Sequence, residues 1–158
     1  MDLGISRILV AAIVAAAALL PVAAFAGPEE AELSVAVAGT TAGVGAVRVN
    51  LYASAESFLQ HKDAQIAADV PRRGAPSLVF KGLKPGTYAL VAYYDRNQNG
   101  VLDRGVFGVP LEPLGFSNGV VPALSRPDFA EAALVVEEGR QEIEIMLREF
   151  GKSRQADS

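Results

Sequence analysis

The sequence contains no cysteine, and this absence removes a whole set of chemistries at once. Without thiols there is no disulfide framework, no thiolate zinc site, no iron–sulfur cluster and no cysteine nucleophile, and the cysteine needed for N-terminal lipid attachment is missing too. Histidine is scarce as well, since His61 is the only one in the chain. A metal site built from several histidines is therefore excluded.

Positive charge is also in short supply. The chain carries 14 Lys and Arg against 18 Asp and Glu, which gives a net charge of −4. A net acidic protein is a poor binder of nucleic acids and of anionic membrane surfaces. The length of 158 residues leaves room for one ordinary domain. We therefore expect one domain that does not bind nucleic acid.

The long apolar run of the chain lies at its N-terminus. Arg7 precedes an apolar run over residues 8–20, and Ala24-Phe25-Ala26 follows it. A run of about 13 residues is shorter than a membrane-spanning helix needs, and the small-x-small tripeptide is typical of a signal peptidase site. We predict a cleaved Sec-type signal peptide over residues 1–26, with an uncleaved anchor as the alternative. The protein is then a periplasmic or secreted bacterial protein with no stable membrane insertion after cleavage.

The remaining chain shows the alternation of short β-strands. Apolar and polar residues alternate over residues 32–37 and 47–52, and we predict a hairpin of these two strands. Residues 87–94 are apolar on both faces, which places that strand centrally in its sheet. Just before it, Pro85-Gly86 has the residue order of a type II turn, in which the glycine takes a positive φ.

The other segments complete a β-sandwich. Residues 53–68 lack clean alternation and indicate a short helical turn or an irregular crossover, whereas 130–136 and 141–148 are two further strand segments. About six to eight short strands with frequent turns and no long amphipathic helix predict an all-β sandwich, either transthyretin-like or immunoglobulin-like. We assign 27–150 to this domain and 151–158 to a flexible polar tail.

A possible ion loop follows the central strand. Residues 95–103 carry oxygen-bearing side chains at positions 1, 3, 5 and 9 and glycine at position 6, which resembles the first three-quarters of an EF-hand calcium loop. Position 12 is Val106, where an EF-hand has a bidentate Glu, so Glu112 or water must supply the missing ligand. With few charged ligands, the calcium affinity should be weak, about 0.1 to 1 mM. A metal-free turn is the alternative, because Asp and Asn also form turns by themselves. The predicted ligands are Asp95, Asn97, Asn99, the Val101 carbonyl, Asp103 and Glu112.

A loop rich in Gly, Pro and aromatic residues follows at 105–119. Ordered irregular loops of this kind often carry function. We predict a shallow recognition surface beside the ion loop, formed by Phe107, Phe116, Ser117 and Asn118. The alternative is that the aromatic residues close the open end of the sandwich.

Several separated blocks of the sequence resemble one known family. They are residues 86–89, 94–103, 108–118 and 126–132, and they include an Asp-x-Asn-x-Asn-Gly-x-Leu-Asp block and a Gly-Phe-Ser-Asn block. Together they resemble the exported bacterial family called domain of unknown function 2141. The resemblance implies a periplasmic or secreted β-sandwich, and it implies no activity.

Three functional hypotheses remain from the sequence. The first is a non-enzymatic exported binding or adaptor domain, with Ca²⁺ as its weakly bound ion and an envelope or extracellular protein or glycan as its partner. The second is a metal-free structural protein of the envelope or matrix. The third is a hydrolase of an envelope polymer, which would need either a triad through His61 or a pair of carboxylates such as Asp95 and Asp103. Because His61 lies in a polar stretch and the carboxylates are better explained as ion ligands, we expect no catalytic residues.

Overall fold

The fold was obtained as a computed structural model, and it describes residues 30–40, 44–69, 75–121 and 126–150. The predicted signal peptide at 1–26 and the predicted tail at 151–158 lie outside the described residues. No helix within the described ranges is long and apolar enough to cross a membrane.

Eight strands, two short α-helices and two single 3-10 turns, Val106–Gly108 and Ser117–Gly119, make up the regular structure of the described chain. The strands are β1 (Ala31–Ala38), β2 (Ala46–Tyr52), β3 (Gln65–Asp69), β4 (Ser77–Leu83), β5 (Gly86–Asp95), β6 (Leu114–Phe116), β7 (Ala133–Val136) and β8 (Gly139–Met146). The helices are α1 (Ala55–Gln60), which begins after the N-cap Ser54, and α2 (Phe129–Ala132), which begins with a capping box of Asp128 and Glu131.

The strands form two sheets, so the predicted all-β sandwich is confirmed. The first sheet has the order β4-β1-β8, and β1 pairs with β8 in parallel. The second sheet has the order β3-β2-β5, with β6 and β7 both paired to the far edge of β5. The strand β5 is therefore central in its sheet, as its two apolar faces predict.

Alternation along the strands separates two apolar layers. Val47, Val49 and Leu51 of β2 are buried between the sheets, where they pack with Leu90 and Ala92 of β5. The opposite face of the second sheet carries a further cluster, which we call the outer-face cluster. It joins the outward side chains of the second sheet to the two helices and comprises Tyr52, Phe58, Ala89, Val91, Tyr93, Leu114, Phe116 and Ala132.

The two sheets also meet along one edge. The backbone N–H of Leu114 in β6 donates to Arg148 O at 3.0 Å, and Arg148 N–H returns a bond to Leu114 O at 2.9 Å. A side chain on Gly115 would place its Cβ 2.4 Å from Met146 O, which is far inside contact distance. The edge therefore closes only because position 115 has no side chain.

Three expectations about the connections were wrong. The strands β1 and β2 lie in different sheets, so they form no hairpin. Gly86 does not take a positive φ, whereas Gly82 does at +67°, so the turn before β5 is not the predicted type II turn. Residues 130–136 are not one strand, because α2 runs to Ala132 and β7 begins only at Ala133. In 53–68 the predicted short helix is present as α1, and the strand β3 follows it.

Candidate functional site

Asp95 is the last residue of the strand β5, and its side chain is fully buried. The Arg48 guanidinium on β2 donates to Asp95 Oδ2 at 2.6 Å, and backbone N–H groups of Gly100 and Asn99 donate at 2.8 and 3.1 Å. Burial opposes ionisation of this carboxyl, but the bonds from Arg48, Gly100 and Asn99 outweigh it and leave the pKa of Asp95 below its ordinary value. Asp95 is thus an ionised carboxylate that fixes the start of the loop.

The loop at 95–103 coils around the carboxylate of Asp103. Asn97 Nδ2 donates to one Asp103 oxygen at 2.7 Å, and Asn99 Nδ2 donates to the other at 3.0 Å. The turn is made possible by Gly100, whose φ is +84°. The side chains at positions 3, 5 and 9 of the loop therefore point at one another, as they do in a coiled ion loop.

Glu112 joins the two ends of this loop. Its side chain is buried, and it accepts the backbone N–H of Arg96 at 2.7 Å and that of Asp103 at 3.1 Å, one on each carboxylate oxygen. The structure thus brings Glu112 to the loop from the segment before β6. It serves there as an acceptor for two backbone donors that would otherwise be unsatisfied.

The donor set fits calcium in part. Asn97 and Asn99 turn their amide nitrogens to Asp103, while their oxygens accept the backbone N–H groups of Asn99 and Val101. A half rotation of each amide would break these two bonds and present oxygen to Ca²⁺ instead. The Val101 side chain is exposed and holds no oxygen, so the backbone carbonyl is the only ligand that this residue can offer. Within the described ranges, no group of three or more His, Cys, Asp and Glu side chains gathers at one point. Any calcium at this loop would therefore rely on amide and carbonyl oxygens beside Asp103.

The four residues of the predicted recognition surface are not placed alike. Phe107 is 99% exposed and holds a left-handed backbone with φ +63°, whereas Phe116 is buried in the outer-face cluster. Ser117 is fully buried, accepts the N–H of Leu90 at 2.8 Å and donates to Ala132 O. Asn118 is exposed and donates to Glu131 O at 3.0 Å. Phe107 is therefore the free aromatic side chain of the set.

A cavity of about 650 Å³ lies on the outer face of the second sheet. We call it the outer-face cavity. Asn50, Tyr52 and Tyr93 are strand residues of its lining, and Phe107 belongs to its lining from the 106–108 turn. Tyr93 donates its hydroxyl to Gly100 O at 3.1 Å, and burial raises its pKa to about 12, so the hydroxyl stays protonated. A cavity of this size is in the range of small-molecule sites.

Arg126 and His61 meet at this cavity, and neither was predicted as a site residue. The guanidinium of Arg126 lies 3.9 Å from the ring centroid of Phe58, and its Nη1 contacts both ring nitrogens of His61 at 2.8 and 2.6 Å. Burial, Arg126 and Arg104 together lower the pKa of His61, so its imidazole is neutral at pH 7. No sequence motif predicts the contact between His61 and Arg126, because the two residues meet only through the packing of α1 against α2.

Comparisons with known proteins give one match. The sequence model of a family described as "Uncharacterized protein conserved in bacteria (DUF2141)" matches residues 35–144. That stretch includes all six predicted ion ligands and the four residues of the predicted surface. No curated protein and no solved structure matches the chain.

Proposed function

This chain belongs to the DUF2141 family, and from that premise we propose that it is an exported, non-enzymatic binding domain that holds a small ligand in the outer-face cavity. The family match confirms the resemblance carried by the sequence blocks at 86–132. The single observation that supports the proposal is the cavity of about 650 Å³ with an exposed Phe107 in its lining. Export rests on the predicted signal peptide over residues 1–26.

The exposed aromatic side chain favours binding over a purely structural role. An exposed Phe held at positive φ carries a backbone cost and gains no packing, so its position is easier to explain if a ligand covers it. The cations Arg104 and Arg126 in the cavity lining can orient a ligand. The hydroxyl of Ser117 does not belong to the lining and is bonded to backbone groups of β5 and α2. A non-enzymatic role fits these groups better than hydrolysis.

A neutral fluorescent probe tests the cavity. N-Phenyl-1-naphthylamine should bind the purified protein saturably at one site, and Phe107→Ala should weaken its affinity by at least about threefold, since an aromatic contact is lost. Val79→Ala is the matched control, because Val79 is also an exposed apolar side chain but lies on β4 in the other sheet. Absence of saturable binding would remove the binding proposal and leave a structural protein of the envelope or matrix.

We further propose that the loop at 95–103 binds calcium weakly and that the ion stabilises the wall of the cavity. What supports this is the convergence of Asn97 and Asn99 on Asp103, next to Gly100 and Val101 in the cavity lining. The nearby Arg48 cation on Asp95 opposes a dication, which agrees with an affinity of about 0.1 to 1 mM.

Thermal unfolding in chelator, in 10 mM calcium and in 10 mM magnesium tests the ion. Ligand binding to the folded state alone stabilises it by about 1.4 kcal/mol at ten times Kd, which raises Tm by several degrees. We expect this rise in calcium for the native protein and its loss in Asp103→Asn. Glu142→Asn, an exposed site on β8, should keep the rise. An equal Tm in chelator and calcium would show that the loop is a metal-free turn.

A further inference from the structure

The outer-face cavity concentrates positive charge in a net acidic chain. The cationic side chains of its lining are Arg104 and Arg126, and no carboxylate of the described residues belongs to the lining. The whole chain nevertheless has a net charge of −4. A local positive site against an acidic background selects for anions inside the cavity and repels them elsewhere.

Arg126 supplies an unused pair of donors at this site. Its Nε and Nη2 atoms are buried and have no hydrogen-bond partner among the residues that the structure describes. These two atoms share one edge of the guanidinium, which is the edge that binds the two oxygens of a carboxylate side by side. A buried cation with two unsatisfied donors is unfavourable unless an anion meets it.

The guanidinium is also held in place before any ligand arrives. It lies over the Phe58 ring at 3.9 Å and near the Tyr52 ring at 5.7 Å, and Nη1 is occupied by His61. These contacts with Phe58, Tyr52 and His61 fix the position of the guanidinium. Because the group is already ordered, binding an anion costs little additional side-chain entropy.

The rest of the lining is apolar and aromatic. Ile66, Val91, Phe116 and Phe150 line the cavity, and Phe107 adds an exposed ring. One further polar atom, Asn50 Oδ1, is buried without a partner in the described chain and can meet a polar substituent. A fully polar ligand would leave this apolar surface uncovered, so the ligand needs an apolar body as well as an anionic group.

We propose that the outer-face cavity binds a small organic carboxylate, which pairs with the guanidinium of Arg126 and whose aromatic or aliphatic body lies against the aromatic lining. This inference rests on the proposed binding function and names the ligand class for the same cavity. Arg104, whose Nη1 donates to Gly108 O at 3.0 Å, adds a second positive charge to the lining.

Two probes of equal shape and different charge test the proposal. Binding of 2-naphthoate and of its neutral isostere 2-naphthamide is measured on the full protein by two-dimensional NMR titration. We expect 2-naphthoate to bind at least about tenfold more tightly, because charged hydrogen bonds are stronger than neutral ones. In Arg126→Gln the preference for 2-naphthoate over 2-naphthamide should be lost, so that the ratio of the two affinities falls to about one. Arg126→Lys should give an intermediate ratio, since it keeps the charge and loses the paired donors.

The controls separate this inference from the function on which it rests. Arg140→Gln removes one exposed positive charge on β8, and it should leave both affinities as they are. The NMR spectrum of the free variant shows whether Arg126→Gln is folded, and Arg126→Lys provides a second variant if it is not. Equal binding of both probes to the native protein would overturn the carboxylate proposal and leave a neutral binding site. No binding of either probe or of N-phenyl-1-naphthylamine would overturn both proposals.

Discussion

At the scale of single residues, the pair of Asp95 and Arg48 anchors the ion loop to the sheet. Asp95→Asn keeps the shape of the side chain, removes its charge and leaves Arg48 without its counter-charge. Removal of one partner from such a buried pair costs about 3 kcal/mol of unfolding free energy. Urea unfolding at pH 7 measures this loss, and Asp63→Asn, at an exposed position, should change stability by less than about 0.5 kcal/mol.

The same pair predicts a pH dependence. Because the folded pKa of Asp95 lies below its ordinary value of 3.8, the stabilisation is complete above pH 3.8 and is lost as the pH falls through the folded pKa. Native protein and Asp95→Asn should therefore converge in stability at acid pH. A constant difference between them at pH 7 and at pH 2 would show that the charge of Asp95 plays no part.

His61 reports on the charge of the cavity, and it is the only histidine in the chain, so its NMR signal needs no assignment. We expect its pKa in the folded protein to lie below 6.5, because burial, Arg126 and Arg104 disfavour the imidazolium. Arg126→Gln should raise this pKa, and so should bound 2-naphthoate. The unfolded chain takes up the proton first, so this group lowers stability as the pH falls below 6.5. Arg140→Gln is the control, and a His61 pKa at or above 6.5 in the native protein would contradict the expectation.

At the scale of elements, the loop around Phe107 has a strained backbone that lowers the stability of the fold, and it leaves the Phe107 ring exposed. An L-residue at positive φ costs about 1 kcal/mol, and Phe107 recovers none of it, since its side chain is 99% exposed. Phe107→Gly should therefore raise the free energy of unfolding in urea by less than about 1 kcal/mol. The gain is limited because Gly has a larger conformational entropy in the unfolded chain. It should also weaken binding of the neutral probe. Phe107→Ala keeps the strained backbone, so it should show the loss of binding without the gain. Destabilisation by Phe107→Gly would mean that the ring packs on the fold.

How far the sequence predicts these elements depends on the range of the interactions that form them. The two apolar faces of β5 are local, and they correctly place it in the middle of a sheet. The partner of β1 is not local: Ala31 pairs with Gly139 in parallel, and no alternation within β1 distinguishes that partner from β2. The same limit applies to the site. The coiling of 95–103 follows from its own Asp, Asn and Gly residues, whereas the burial of Arg126 over Phe58 arises only when α1 and α2 meet.

At the scale of the whole molecule, the closed edge between the sheets holds the sandwich together behind the cavity. Leu114 and Phe116 of β6 line the cavity, and between them Gly115 lies against Met146 O of β8. A change at this edge therefore acts on the sheet contact and on the cavity lining at once. By contrast, the start of the β1–β8 pairing, where Ala31 pairs with Gly139, contributes no described residue to the cavity lining.

Gly115→Ala tests this joint role of the edge. Its Cβ would lie 2.4 Å from Met146 O and 2.9 Å from Ile145 Cγ2, so β6 must move away from β8. Such overpacking costs about 1 to 3 kcal/mol, and urea unfolding should show a loss of that size. Because the displaced β6 carries Leu114 and Phe116, the neutral probe should bind more weakly as well. Gly86→Ala is the control: a Cβ there lies 3.8 Å from its nearest neighbour, Tyr88, so stability and binding should stay near the native values. If Gly115→Ala lost stability with no change in probe affinity, the edge would support the fold alone, and the cavity would be held by the loops around Gly100 and Phe107.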